Sequence, residues 1–117
     1  MTIERRFHPR YTINLPLTIS FSGVDVELLA NAVNISLSGL QLEVNKSIVD
    51  EIINNTKYPA EFNISINETA LTLNQIKVRL IVNRRISQQQ FQLGLKFNNL
   101  HKDQQLSLEN FIKQHSK

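Results

Sequence analysis

Three arginines stand close together near the start of the chain, in the stretch ERRFHPRY at residues 4–11. Arg6 and Arg10 form an RxxxR spacing, and Arg5 lies beside it. A guanidinium group pairs bidentately with phosphate oxygens, fits the O6/N7 edge of guanine and stacks on flat rings. Pro9 restricts the backbone just before Arg10, which lowers the cost of ordering the segment on a ligand. The cluster therefore favours a site for a small anionic ligand.

A second polar motif, NISLSG at residues 34–39, begins 23 residues after the arginine pair ends. Asn34 offers a side-chain amide with a donor and an acceptor, and Ser36 adds a short hydroxyl. Gly39 allows either a positive φ or the close approach of a ligand. Two simpler interpretations stay open: the arginines are a solvated arm, and the second motif is an ordinary polar turn between strands.

The elements that position these motifs are predicted from alternation. Apolar and polar residues alternate perfectly from Ile13 to Phe21, which indicates a strand with one buried face. Pro16 cannot donate to a ladder, so this strand is expected at an edge or with a local irregularity. Further strands are predicted from about Val26 to Ile35 and over residues 40–44, 62–66, 76–83 and 91–97. In the long strand over 76–83, Ile76, Val78, Leu80 and Val82 are expected on one inward face.

Two helices complete the prediction. SIVDEIINN, at residues 47–55, reads as a short helix that Ser47 caps and for which Asp50 completes a capping box. At the end of the chain Leu108, Phe111 and Ile112 recur at helical spacing, and their stripe is expected to pack over one rim of the sheet. The fold class is therefore mostly all-β: a small six-stranded antiparallel barrel with a short inserted helix and a C-terminal helix.

Composition narrows the class of protein. The 117 residues fit one domain, with a flexible basic arm over 1–11 and the barrel with its terminal helix over 12–117. The charged first residues do not resemble a signal peptide, and no run approaches the ~20 apolar residues that span a bilayer. We expect a cytoplasmic protein without membrane insertion.

There is no cysteine, and the three histidines are scattered, so no metal site is expected. No nucleophile elbow or Gly-rich phosphate loop is present, which indicates that the protein is not an enzyme.

The charge distribution favours a small ligand over a polyanion. The formal net charge is only +3, which is far from the basic stripe of a general DNA or RNA binder, so neither is expected as a partner. Arg79, Arg84 and Arg85 form a second basic area. Arg79 is a possible additional ligand contact across the barrel mouth, although a solvent-facing role is the simpler interpretation.

RxxxR followed by [D/N]xSxxG on a barrel pattern resembles the PilZ family of bacterial cyclic di-GMP receptors. The resemblance extends from about Glu4 to Gln114 and includes the strand FQLGLKF at residues 91–97. It implies cyclic di-GMP as the ligand, with no other cofactor. The residues that match the family motifs, and are therefore expected to bind it, are Arg5, Arg6, Arg10, Asn34, Ser36 and Gly39. Asn34 stands where many members carry aspartate; it brings no charge, which predicts a lower affinity.

The main functional hypothesis is a receptor whose arginine arm becomes ordered on binding cyclic di-GMP. The 117 residues hold no output domain, so the signal is expected to pass to an unidentified protein partner. The resemblance implies motility, adhesion, biofilm or polysaccharide control as the regulated process. An alternative is a ligand-independent PilZ-like interaction adaptor, for example in type IV pilus assembly. An oligonucleotide-binding barrel is a third hypothesis, but Phe62, Phe91 and Phe97 fall on faces predicted to point inward, where they cannot stack on bases.

Overall fold

The computed structural model describes residues 10–115 as six β-strands and two α-helices. The strands close into a barrel in the order β1-β2-β3-β6-β5-β4, and every neighbouring pair is antiparallel. This confirms the predicted fold class. The elements are β1 (Tyr11–Phe21), β2 (Val24–Ile35), β3 (Gly39–Asn45), α1 (Lys46–Asn55), β4 (Glu61–Asn67), β5 (Thr72–Arg85), β6 (Gln90–Phe97) and α2 (Lys102–His115).

One apolar core fills the barrel, because the alternation of each strand turns one face inward. In β1 the residues Leu15, Leu17, Ile19 and Phe21 are buried, as their spacing predicts. The corresponding apolar residues of β3, β4 and β6 join the same cluster. The polar residues between them therefore form the outer face of the barrel, which is where the candidate site lies.

The first strand is irregular near its proline, as predicted. The pairing of β1 with β2 shifts register between Thr12 and Leu15, just ahead of Pro16. Within the described residues β4 pairs with β1 at Thr18–Ser20, which lies beyond the proline. On the side of β1 that faces β4, Pro16 therefore lies outside the paired residues and interrupts no hydrogen-bond ladder.

The inward face of β5 ends earlier than alternation predicts. Val78 is buried and Leu80 half-buried, but Val82 is 45% exposed. A register shift between Leu80 and Val82 in the pairing with β6 inserts one extra residue, Ile81. Because side chains alternate with period two, one extra residue moves Val82 to the other face. The prediction that Val82 points inward was wrong.

The helix α1 has a different cap from the predicted one. It begins at Lys46, and the side-chain oxygen of Asn45 accepts a hydrogen bond from the Ile48 N–H at 3.1 Å. Ser47 lies inside the helix and donates its hydroxyl to Asn45 Oδ1 at 2.7 Å. Asp50 pairs with Lys46 at 3.0 Å instead of completing a capping box. Asparagine and serine cap about equally well, so local propensity did not distinguish the two positions.

The helix α2 covers one rim of the barrel, in agreement with the sequence pattern. Leu108, Phe111 and Ile112 are buried and belong to the barrel core. Leu108 lies near the β2–β3 turn, and Phe111 lies near Ile13 at the start of β1. Along residues 10–115, neither helix is long and apolar enough to cross a membrane.

Removal of the Asn45 cap is expected to cost more than removal of the hydroxyl next to it. Asn45→Ala leaves the Ile48 N–H without its side-chain acceptor, and we expect a loss of ~1 kcal/mol in the free energy of unfolding. Ser47→Ala is the matched control and should stay within about 0.5 kcal/mol of the wild type. Urea denaturation of the two variants measures both values. An equal or larger loss in Ser47→Ala would contradict the assigned cap.

Candidate functional site

The turn between β2 and β3 is held by Ser36. Its backbone N–H donates to the Gly39 carbonyl at 2.8 Å, and its hydroxyl donates to the same carbonyl at 3.3 Å. The hydroxyl oxygen also accepts from the Ser38 N–H at 3.2 Å. Ser36 is only 1% exposed. The hydroxyl that the sequence suggested as a ligand contact is therefore engaged inside the turn, where it fixes the shape of the loop.

Gly39 is required by the neighbouring strand. A Cβ placed on Gly39 would lie 2.0 Å from the carbonyl oxygen of Leu95 in β6, closer than any real contact. Gly39 does not take a positive φ, unlike Gly23, whose φ is 74°. The expected positive φ is therefore wrong. The group that approaches Gly39 closely is the backbone of β6, and the expected close approach of a ligand stays a prediction.

Within residues 10–115, a hydrogen bond joins the two sequence motifs. Arg10 lies at the start of β1, and its Nη1 donates to Asn34 Oδ1 at 2.8 Å although the residues are 24 positions apart. Asn34 Nδ2 in turn donates to Gln41 Oε1 on β3. The antiparallel register produces this chain of contacts, because Thr12 pairs with Asn34 and Asn34 pairs with Gln41. An exposed guanidinium, a half-buried amide and a second amide therefore lie side by side on the outer face.

Arg5 and Arg6 lie outside the described residues, as does most of the predicted basic arm. Their contribution to the site stays a prediction from the sequence. Arg10 is the one arginine of the RxxxR spacing within the described part of the chain, and its side chain reaches the second motif.

Arg79 is engaged elsewhere on the barrel. Its Nη2 lies 2.9 Å from Glu61 Oε2 and its Nε donates to the same oxygen at 3.1 Å. Asn98 Nδ2 also donates to this oxygen, at 3.2 Å. The hydrogen bond from Arg79 is the main cause that lowers the pKa of Glu61 below its ordinary value of 4.5. To contact a ligand, Arg79 would have to leave its ion pair with Glu61.

Three residues that the sequence did not single out also line this outer face. Gln41 orients Asn34, Gly94 pairs with Gln41 across the β3–β6 ladder, and Lys96 pairs with Gly39 in the same ladder. Lys96 is exposed. The alternation of β3 and β6 had placed all three on the polar face, but only the register brings them next to Asn34. Within residues 10–115 no group of three metal-ligating side chains is gathered.

Comparison with known proteins decides the family. The family model of the PilZ domain matches residues 4–114, nearly the whole chain. The chain belongs to the PilZ family. This confirms the resemblance that the two motifs carry. No curated protein matches the sequence.

Solved PilZ structures share the fold at low sequence identity. The PilZ domain of YcgR from Escherichia coli, solved with c-di-GMP, has a TM-score of 0.72 at 15% identity, over 97% of this chain and 92% of that one. The c-di-GMP complex of MrkH from K. pneumonia gives 0.69 at 16% identity, over 96% and 52%. The inhibitor of motility MotI (DgrA) from Bacillus subtilis gives 0.68 at 19%, also over 96% and 52%. This PilZ chain thus spans about half the length of the MrkH and MotI chains.

The ion pair between Glu61 and Arg79 predicts how the pKa of Glu61 responds to substitution of the arginine. Because the pKa is lower in the folded state, the carboxylate stabilises the fold above its ordinary pKa of 4.5, and this contribution is lost as the pH falls through the lowered value. Arg79→Gln should raise the pKa of Glu61 back toward its ordinary value, whereas Arg84→Gln, the control, should leave it unchanged. NMR titration of the Glu61 carboxyl carbon measures this. An unchanged pKa in Arg79→Gln would contradict the assignment of Arg79 as the main cause.

Proposed function

We propose that this protein is a cyclic di-GMP receptor that holds the nucleotide on the outer face of β2 and β3. The observation that carries the proposal is the 2.8 Å contact between Arg10 and Asn34, because it joins the two family motifs at one place. The neighbouring PilZ structures of YcgR and MrkH hold c-di-GMP, which supports the same ligand here. Arg5 and Arg6 are proposed to reach the ligand from the preceding segment.

The chemistry of the site suits this ligand. Cyclic di-GMP carries two negative charges and two guanines, so a receptor needs cations for the phosphates and donors and acceptors for the base edges. Arg10 supplies a planar cation. Asn34 supplies an amide that can face a guanine edge, and Gln41 Nε2 has no acceptor within residues 10–115, so it is available to donate to the ligand. Ser36 and Gly39 act indirectly, because they shape the turn that holds Asn34.

Arg10 is held weakly enough to exchange partners. Its acceptor is a neutral amide, whereas a phosphate adds the attraction between opposite charges and can accept two parallel N–H bonds from the guanidinium. An aspartate in place of Asn34 would hold the guanidinium by charge as well. We infer that the nucleotide draws Arg10 from the amide oxygen to a phosphate and leaves Asn34 for the base. The absent charge also removes one strong acceptor for guanine donors, which is consistent with a modest affinity.

We propose that ligand binding transmits a signal by changing the surface that the protein presents to a partner. Binding would order the arginine segment against the barrel and present a new face to a protein partner, without an enzymatic step and without contact to DNA or RNA. We place this event in the cytoplasm. MotI is described as an inhibitor of motility and MrkH as a c-di-GMP-dependent transcription regulatory factor. Motility, adhesion, biofilm or polysaccharide control are accordingly the processes we propose for this receptor.

Calorimetric titration with cyclic di-GMP tests the receptor hypothesis. A hydrogen bond to a charged group contributes ~1.5–3 kcal/mol, so Arg6→Ala and Arg10→Ala should each weaken the Kd roughly 10- to 150-fold. Lys57→Ala removes an exposed cation from the loop after α1 and is the matched control, with no expected change. Unchanged Kd values in both arginine variants would contradict the proposed site. No binding by the folded wild type, even at low salt, would favour the ligand-independent adaptor.

A further inference from the structure

The first part of β2 has a partner strand on only one side. It pairs with β1 from its first residue onwards, but within residues 10–115 its pairing with β3 begins only at Asn31. Residues 24–28 therefore have an open edge, whose backbone N–H and C=O groups can bond to another strand. We call these residues the acidic edge. Its exposed members are Val24, Asp25, Val26 and Glu27.

The last part of β5 is open in the same way. Beyond Leu80, whose N–H donates to the Ala60 carbonyl at 2.9 Å, no described residue pairs with β5 on the side of β4. The pairing of β5 with β6 continues to Arg85. Residues 81–85 are all exposed, and we call them the basic edge because they include Arg84 and Arg85.

The backbone of the basic edge presents donors to the open side. The Ile86 N–H donates to the Gln90 carbonyl of β6 at 2.8 Å, next to the ladder of the two strands. Because the backbone groups of a strand alternate between its two sides, the N–H groups of Asn83 and Arg85 point away from β6. An incoming strand can therefore bond to them without disturbing the β5–β6 ladder.

The charges of the two edges have no partner of opposite sign among the described residues. The guanidinium groups of Arg84 and Arg85 donate to neutral oxygens, those of the Gln92 side chain and of two carbonyls in the turn after β5. Asp25 and Glu27 belong to neither of the ion pairs within residues 10–115. Each edge therefore keeps its charge available to a partner.

The two edges lie on opposite sides of one end of the barrel. In the strand order β1-β2-β3-β6-β5-β4, β2 and β5 are three strands apart in either direction. Because neighbouring strands are antiparallel, the β1–β2 and β5–β6 hairpins project from the same end. The contact between Arg10 and Asn34 lies at the other end, where β1 begins and β2 ends. A partner on either edge therefore leaves the candidate ligand site uncovered.

We propose that the basic edge of one copy of this chain pairs with the acidic edge of a second copy, so that a β-sheet continues from copy to copy. The pairing sets Arg84 and Arg85 against Asp25 and Glu27, and opposite charges on neighbouring strands stabilise a sheet. Apolar side chains on both edges lose exposed surface in the same contact. They are Val24, 36% exposed, Val26, 37%, Ile81, 53%, and Val82, 45%.

The charges also decide how the copies are arranged. An edge that met the same edge of another copy would place like charges side by side, which protects each edge from pairing with itself and disfavours a two-fold dimer. Acidic against basic is the complementary combination. Each copy then keeps one edge free for the next, so the assembly is a head-to-tail row or a closed ring. This interface requires no nucleotide and is independent of the proposed receptor function.

Sedimentation velocity of the full chain over a range of concentrations tests the interface. The wild type is expected to associate reversibly, and less at high salt. Asp25→Lys/Glu27→Lys and Arg84→Glu/Arg85→Glu should each weaken self-association on the order of tenfold or more, because one edge then meets a like charge. An equal mixture of these two variants should associate again, because each reversed edge is complementary to the reversed edge of the other variant.

A matched control separates the edges from net charge. Asp103→Lys/Glu109→Lys makes the same change of charge on the exposed side of α2 and should associate like the wild type. A wild type that stays monomeric would overturn the proposal. So would association that persists in both reversed variants, or folded reversed variants that do not associate with each other. Failure to bind cyclic di-GMP would overturn the receptor function and leave this interface intact.

Amide hydrogen exchange gives an independent readout of strand pairing. As the concentration rises and the copies associate, exchange at the Asn83 and Arg85 N–H groups should slow several-fold. The Arg84 N–H points toward β6 and is the internal control, whose exchange should not change. Association without added protection at Asn83 and Arg85 would contradict pairing through the edge of β5.

Discussion

The site depends on how closely β3 and β6 pass at Gly39. The carbonyl oxygen of Leu95 occupies the space that a side chain on Gly39 would need. This contact closes the barrel next to the turn that Ser36 holds, and it leads into the pairing of Gly39 with Lys96 and of Gln41 with Gly94. Any residue with a Cβ would push the strands apart at this point. Gly39 is thus required by the barrel backbone, and the alignment of Asn34, Gln41 and Gly94 across β2, β3 and β6 follows from this contact.

In the proposed receptor, ligand binding would depend on the strength of the contact that holds Arg10. Arg10 is held by an amide oxygen at the surface, which orients the guanidinium without neutralising it. Arg79 shows the contrast: it donates twice to one carboxylate oxygen and shares that oxygen with Asn98. To bind an anion, Arg79 would have to leave an oppositely charged partner, whereas Arg10 would leave a neutral amide. This difference supports the proposal that Arg10, more readily than Arg79, contacts the ligand.

The barrel could be predicted from the sequence because apolar and polar residues alternate within each strand, and this pattern can be read in each strand by itself. It also predicted the two motifs that meet at Arg10 and Asn34. It did not single out Gln41 and Gly94, because only the register of strands far apart in the chain brings them into line with Asn34. The bulge at Ile81 left no local signal, and it alone moved Val82 from the core to the outer face. The cap of α1 was misplaced by two residues, from Asn45 to Ser47, since both types suit that position.

The most direct test of the account is a ¹⁵N–¹H correlation spectrum of the wild-type protein, recorded as cyclic di-GMP is added. The account predicts saturable shifts of the Asn34 and Gln41 side-chain amides and of the backbone amides around Gly94, with little change along β4. An unchanged spectrum would contradict receptor function, and shifts confined to a different face would contradict the site.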